Sequence, residues 1–319
     1  MSGPLRDALQ AHSGHEGSFL VLAELLLCAR TPDEYQTRRA LYLSLVADER
    51  YPSAVKAKIL LHALFELPEP KFEPREELVA GLCDRFADRK ALSLALSALG
   101  DSEAAARIVV GRLGTRADAL SLLAGLLCDP AVEELHATLS DTFLDSARAR
   151  PDALAAWAIE ERATLFRPEI FGVLFERGAS LLGPACKEIL ANGPTEDRLR
   201  LIDRLAQEGS AKALRLLVLG VTYDEEPCDP ELIRGLGAFG HPLAVAVLRE
   251  LVQRSNVEGM RWHEAASALS ALRETGTDEA KEFLRQVVSN RSALLPLYRH
   301  ELRVLASRVM EERELRGTP

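Results

Sequence analysis

The stretch Gly235-Leu-Gly-Ala-Phe-Gly240, set within PELIRGLGAFGHPLAVAVLREL (Pro230 to Leu251), decides the fold. Its G-x-G-x-x-G spacing is that of a turn that cradles a dinucleotide pyrophosphate, and Glu258 follows where a ribose-binding acid would stand. Such a turn needs a β-strand before its first glycine and a helix opening at its last, so that a helix N-terminus faces the phosphate. Here DPELIR runs into the glycines in helical register, and the last glycine closes a helix. The polarity is reversed for phosphate, and the stretch reads as a turn between two helices.

The same turn recurs along the chain. At an offset of 31, Leu201, Ile202, Leu205, Gly209, Ala213 and Leu217 pair with Leu232, Ile233, Leu236, Gly240, Ala244 and Leu248. A further offset of 36 reaches Ala268, Leu269, Leu272, Gly276, Ala280 and Leu284, and Leu96, Gly100, Ala104 and Ile108 fit upstream. Apolar residues at i, i+1 and i+4, a glycine at i+8 and a second apolar set describe one helix, a tight turn and a second helix. Gly209, Gly240 and Gly276 are expected at the left-handed position that ends the first helix. Gly100-Asp101-Ser102-Glu103, Gly240-His241-Pro242 and Gly276-Thr277-Asp278-Glu279 then read as stop, N-cap and start.

LIRGLGAFGHPLAVAVLREL and MRWHEAASALSALRETGTDEAKEFL resemble HEAT-type repeats of the short bacterial, bilin-lyase-like kind, in which a helix ending A-L-G-x-x-G is followed by D-P-x-A-x-x-x-L. The resemblance covers residues 196–289 well and 90–192 partially. It implies an all-α chain built as an α-solenoid of stacked antiparallel helix pairs, HEAT/armadillo-like, serving as a protein-protein interaction scaffold or adaptor with neither catalytic residues nor a cofactor.

Composition agrees with helices: Leu and Ala dominate and aromatics make up 5% of 319 residues. A net charge of −9 repels nucleic acid and anionic membranes on average, so neither is an expected partner. Five cysteines lie 42 to 58 residues apart without a CxxC, and four sit among apolar residues, which suits buried thiols in a reducing compartment. The N-terminus shows no signal pattern, and the apolar run Phe19 to Ala29 is too short to span a bilayer, so a cytoplasmic location without membrane insertion is expected. Residues 1–15 read as a flexible tail, 16–67 as N-terminal helical repeats, 68–74 as a Pro-rich connector, 75–290 as the main HEAT-like array and 291–319 as a capping helix and tail.

In a HEAT array the helix before the glycine is expected to line the concave face. Its non-apolar positions, Arg200, Asp203, Arg204, Gln207, Arg234, Arg261, His263, Glu264 and Arg273, are the candidate protein-binding residues. Asp224, Glu225 and Glu226, in the acidic loop TYDEEPCDPE (residues 222–231), are candidates for docking a basic partner; the loop lacks the spacing of a calcium site. A small-molecule ligand is not expected.

Enzyme readings have specific obstacles. His15-Glu16, His263-Glu264 and His300-Glu301 never extend to H-E-x-x-H. HEAASAL resembles the helices by which the HEAT-repeat deoxyhypusine hydroxylase holds a di-iron centre, yet that family uses four such dipeptides in two symmetric pairs, and the first half of this chain supplies no counterpart pair. Bilin-lyase activity is suggested by the repeat subtype alone. A HEAT-like DNA glycosylase would set aromatic residues in a basic groove; Trp157, Trp262, Arg198, Arg200 and Arg204 are its candidates here.

Overall fold

The computed structural model describes residues 16–99, 102–221, 228–258, 262–289 and 300–316, and every regular element among them is helical. In chain order these are α1 (Glu16–Leu27), α2 (Pro32–Ser44), α3 (Ser53–Leu61), α4 (Arg75–Arg85), α5 (Arg89–Ala98), α6 (Glu103–Gly114), α7 (Ala119–Leu127), α8 (His136–Ala149) and α9 (Pro151–Glu160). They are followed by α10 (Arg162–Leu165), α11 (Pro168–Asn192), α12 (Thr195–Glu208), α13 (Ala211–Val218), α14 (Pro230–Gly237), α15 (Pro242–Glu258), α16 (Trp262–Glu274), α17 (Asp278–Ser289) and α18 (His300–Arg316). A π-turn over His62–Glu66 extends α3, and a 3-10 segment over Pro130–Leu135 precedes α8. The chain divides into two compact units: residues 1–157 with 163–178, and 158–162 with 179–319. The division falls at Gly178, whose non-helical φ of −138° interrupts α11.

In the first unit α2, α4, α6 and α8 pack in succession, each on the next, and α3, α5 and α7 form a second succession. The 3-10 segment packs on α5 and α7. Both successions bury apolar stripes: Leu78, Val79 and Leu82 of α4 in the first, and Leu92, Ala95 and Leu96 of α5 in the second, are at most 1% exposed. The stretch 68–74 lies inside this unit and does not act as a linker between bodies, because Glu73 accepts from the Tyr35 hydroxyl at 2.6 Å and from Arg39 Nε at 2.7 Å.

One edge of the first unit carries a repeated helix-end device. Arg116, in the turn after α6, donates through Nη1 to the carbonyls of Cys83 and Phe86 at the end of α4, at 2.6 and 2.7 Å. Arg150, following α8, donates through Nη1 to the Arg116 carbonyl and through Nη2 to that of Gly114 at the end of α6, at 2.6 and 3.1 Å. Helix C-termini leave carbonyls unpaired and carry partial negative charge, so a cation there satisfies both. Asp118 grips the other side of the Arg116 guanidinium at 2.7 Å through each oxygen, and its carboxyl is held below the usual aspartate range chiefly by that bond.

In the second unit α12, α14, α16 and α18 pack in succession, and α15 packs on α17. Gly209 at the end of α12 and Gly276 after α16 adopt φ of +59° and +66°, as the repeat pattern demands. Gly240 departs from that pattern and has no left-handed φ. Helix α14 already stops at Gly237, where the N–H groups of Ala238 and Phe239 return to Gly235 and Leu236 in tight 3-10 fashion, so no left-handed residue is needed. The expected starts hold at His241, whose Nδ1 accepts the Leu243 N–H at 3.1 Å, and at Thr277, whose Oγ1 accepts the Ala280 N–H at 3.2 Å. Ser102 makes no side-chain cap. Gly100, Asp101 and the tail 1–15 lie outside the described residues.

Candidate partner-binding surface

Helix α14 is held between α12 and α16 by its two glycines. A Cβ on Gly235 would meet Ile202 Cγ2 of α12 at 2.6 Å, and one on Gly237 would meet the Cα, Cβ and carbonyl of Ala271 in α16 at 2.9 to 3.0 Å. Two residues apart on a helix point to nearly opposite sides, so the glycines serve opposite neighbours. The spacing that mimics a phosphate turn is a device for close helix approach.

With both flanks occupied, the remaining polar stripe faces solvent. Arg200, Asp203 and Gln207 are exposed on α12, opposite buried Leu201, Ile202 and Leu205, and Arg234 is exposed on α14. At the repeat offset of 31, Asp203 corresponds to Arg234 and Arg200 to Glu231. Arg200 pairs with Glu196 at 2.5 Å, Arg204 with Glu208 at 3.6 Å, and Arg234 with Glu231. Each arginine is thus neutralised within its own helix. The stripe is zwitterionic, and Arg198, also named for a nucleic-acid groove, pairs with Asp229 at the start of α14 at 3.3 Å.

His263 is exposed on α16, but its neighbour Glu264 is 1% exposed and accepts the Cys228 N–H at 2.9 Å, fixing the chain that enters α14. Glu264 therefore serves the interior, because its helix position faces α14. Arg273 likewise turns inward and donates to the Val309 carbonyl of α18 at 3.1 Å. Arg261, Asp224, Glu225 and Glu226 lie outside the described residues. Of the sequence-derived set, Arg200, Asp203, Arg204, Gln207 and Arg234 share adjacent faces of α12 and α14, His263 is exposed on α16, and Glu264 and Arg273 are tied into the fold.

Among the described residues no three His, Cys, Asp or Glu side chains cluster as metal ligands, and no helix is long and apolar enough to cross a membrane. Burial pushes the thiols of Cys83 and Cys186 up to about 12, so neither is a nucleophile at neutral pH. Trp157 is a core residue, edge-on to Phe143 at 5.7 Å.

The arginines that cap helix ends escape a search for binding residues, although a signal exists. Arg116-Ala-Asp118-Ala-Leu and Arg150-Pro-Asp152-Ala-Leu repeat at 34 residues, and both arginines occupy the same place in their repeat. Scans against protein-family models, curated proteins and solved structures return no match.

Proposed function

We propose that this chain is a HEAT-like α-solenoid that binds another protein along the face formed by the first helices of its repeats and performs no chemistry itself. The observation that supports this reading is the glycine-spaced seating of α14 between α12 and α16, which packs helix on helix at repeat spacing while leaving Arg200, Asp203, Gln207 and Arg234 to solvent. Stacks of this kind present one side chain after another to an extended partner. The stripe is polar and locally neutral, so it suits a partner of mixed polar character rather than a polyanion.

The test is a double reversal, Arg200→Glu with Arg234→Glu, made in the full chain. Exposed intrahelical pairs contribute only about 0.3–0.5 kcal/mol each, so the melting temperature is expected to hold while the partner that co-purifies with the wild-type chain is lost. Retention of the full set of co-purifying proteins by the variant contradicts the reading.

A further inference from the structure

Helices α16 and α17 carry five carboxylates, Glu264, Glu274, Asp278, Glu279 and Glu282, and three Lys or Arg side chains, and the two signs are sorted in space. All three bases, Arg273 of α16 with Lys281 and Arg285 of α17, line a single cavity of about 160 Å³. Among the described residues, none of the acids lines it. Two of them are engaged elsewhere: Glu264 accepts the Cys228 N–H at 2.9 Å, and Glu279 pairs with Arg249 of α15 at 3.0 Å. In a chain of net charge −9, three cations at one cavity reverse the local field.

The cavity has fixed walls. Lys281, Leu284 and Arg285 lie at i, i+3 and i+4, hence on one face of α17. Leu284 is 2% exposed, and Met310 of α18 completes the apolar part of the lining. Arg273 is anchored by its bond to the Val309 carbonyl, which holds its guanidinium at the wall. Lys281 and Arg285 each pair within α17, with Asp278 at 3.1 Å and Glu282 at 3.4 Å. Both carboxylates are exposed, Asp278 fully, so these pairs are weak and can yield to a ligand.

We propose that this cavity binds a phosphomonoester group. Such a group carries about −1.5 to −2 at neutral pH, which calls for more than one cation, whereas a carboxylate is balanced by one. Two of the three cations are arginines, whose forked donors match phosphate oxygens. The volume is below the roughly 300 Å³ at which sites for drug-sized ligands begin. It therefore suits a phosphoryl group with a short apolar stem laid against Leu284 and Met310. The site goes beyond the partner-binding reading and shares no residue with the exposed stripe on α12 and α14.

The test is isothermal titration calorimetry of the full-length protein with phenyl phosphate, which carries the group on an apolar stem. Saturable one-to-one binding is expected. Lys281→Ala with Arg285→Ala should weaken it about tenfold or more, with the ligand-free melting temperature unchanged, because both side chains reach solvent and their pairs within α17 are weak. Phenylacetate, a monoanion of similar shape, should bind about tenfold or more weakly than phenyl phosphate. Absence of saturable phenyl phosphate binding, an affinity within about twofold of wild type in the double variant, or equal affinity for phenylacetate overturns the proposal. A phosphoserine peptide, titrated beside its unphosphorylated form, distinguishes the sources of the group: binding tighter than that of phenyl phosphate assigns the site to a phosphorylated protein, and weaker binding assigns it to a phosphorylated small molecule.

Discussion

At the scale of the residue, Gly237 is a position where the backbone of a neighbouring helix leaves no room for a side chain. Alanine is the better helix former by about 0.8–1.0 kcal/mol, yet at 237 its Cβ would press on the backbone of Ala271, which cannot move aside without shifting α16. Gly237→Ala is therefore expected to destabilise the protein by about 1–2 kcal/mol net. A Cβ at Gly235 would stand 2.6 Å from Ile202 Cγ2, a side-chain atom that can shift without moving a helix, so Gly235→Ala should cost less than Gly237→Ala. Urea unfolding of both variants checks the order; equal effects would mean that α14 is not wedged between its neighbours as described. The sequence shows that these glycines are small residues in a helix. It does not show that they face opposite partners, because that depends on which helices lie on either side.

Arg116 illustrates the same limit. Its Nη1 serves two carbonyls about thirty residues upstream, a relation that no local window contains. Arg116→Ala should cost about 1.5–3 kcal/mol, the range for hydrogen bonds to a charged group, and Arg116→Lys should recover little, since an ammonium cannot hold Asp118 and both carbonyls in one plane. Arg107→Ala is the control: its pair with Glu103 is largely exposed, and no measurable loss is expected.

At the scale of the element, helices and turns were legible wherever apolar period and cap chemistry agree, as at α12 and α17, whose bounds match the periodicity closely. They were less so where packing overrides period. The periodicity predicts one helix over 130–147, but Asp129 accepts the Ala131 N–H at 3.0 Å and tightens the first turns into a 3-10 segment that packs on α5. Residues 168–192 likewise form one element, broken only at Gly178. Turn chemistry also sets a pH dependence. Asp118 titrates below the usual aspartate range because Arg116 holds its charged form. A depressed native value means that the unfolded chain takes up the proton first, so this contribution is present above about pH 4 and is lost as pH falls through the native value. The stability difference between wild type and Asp118→Asn should accordingly be largest near neutrality and shrink as pH falls through the depressed native value. A difference that persists in acid would assign the effect to something other than the carboxylate charge. On the alkaline side Cys83 and Cys186, raised to about 12 by burial, should resist Ellman's reagent until the protein unfolds. Prompt reaction of either thiol in the native protein would show that its burial is not maintained.

At the scale of the whole molecule, two successions of helices in each unit leave polar side chains of one succession facing solvent, and the binding reading rests on that face. Its surface membership was only partly legible: Arg200, Asp203, Gln207 and Arg234 lie where the repeat register puts them, whereas Glu264 and Arg273 are drawn inward by bonds to Cys228 and Val309. Polar type alone does not distinguish a residue offered to a partner from one that closes a gap between helices. The most direct test of protein binding along the first helices is in-cell photo-cross-linking, with a benzophenone amino acid placed singly at Asp203, Gln207 and Arg234 on that face and at Ala246 and Gln286 on the second helices, all exposed. A common cross-linked partner from the first three positions and none from the last two is the expected result. Cross-links confined to Ala246 and Gln286, or absent from every position, would contradict it.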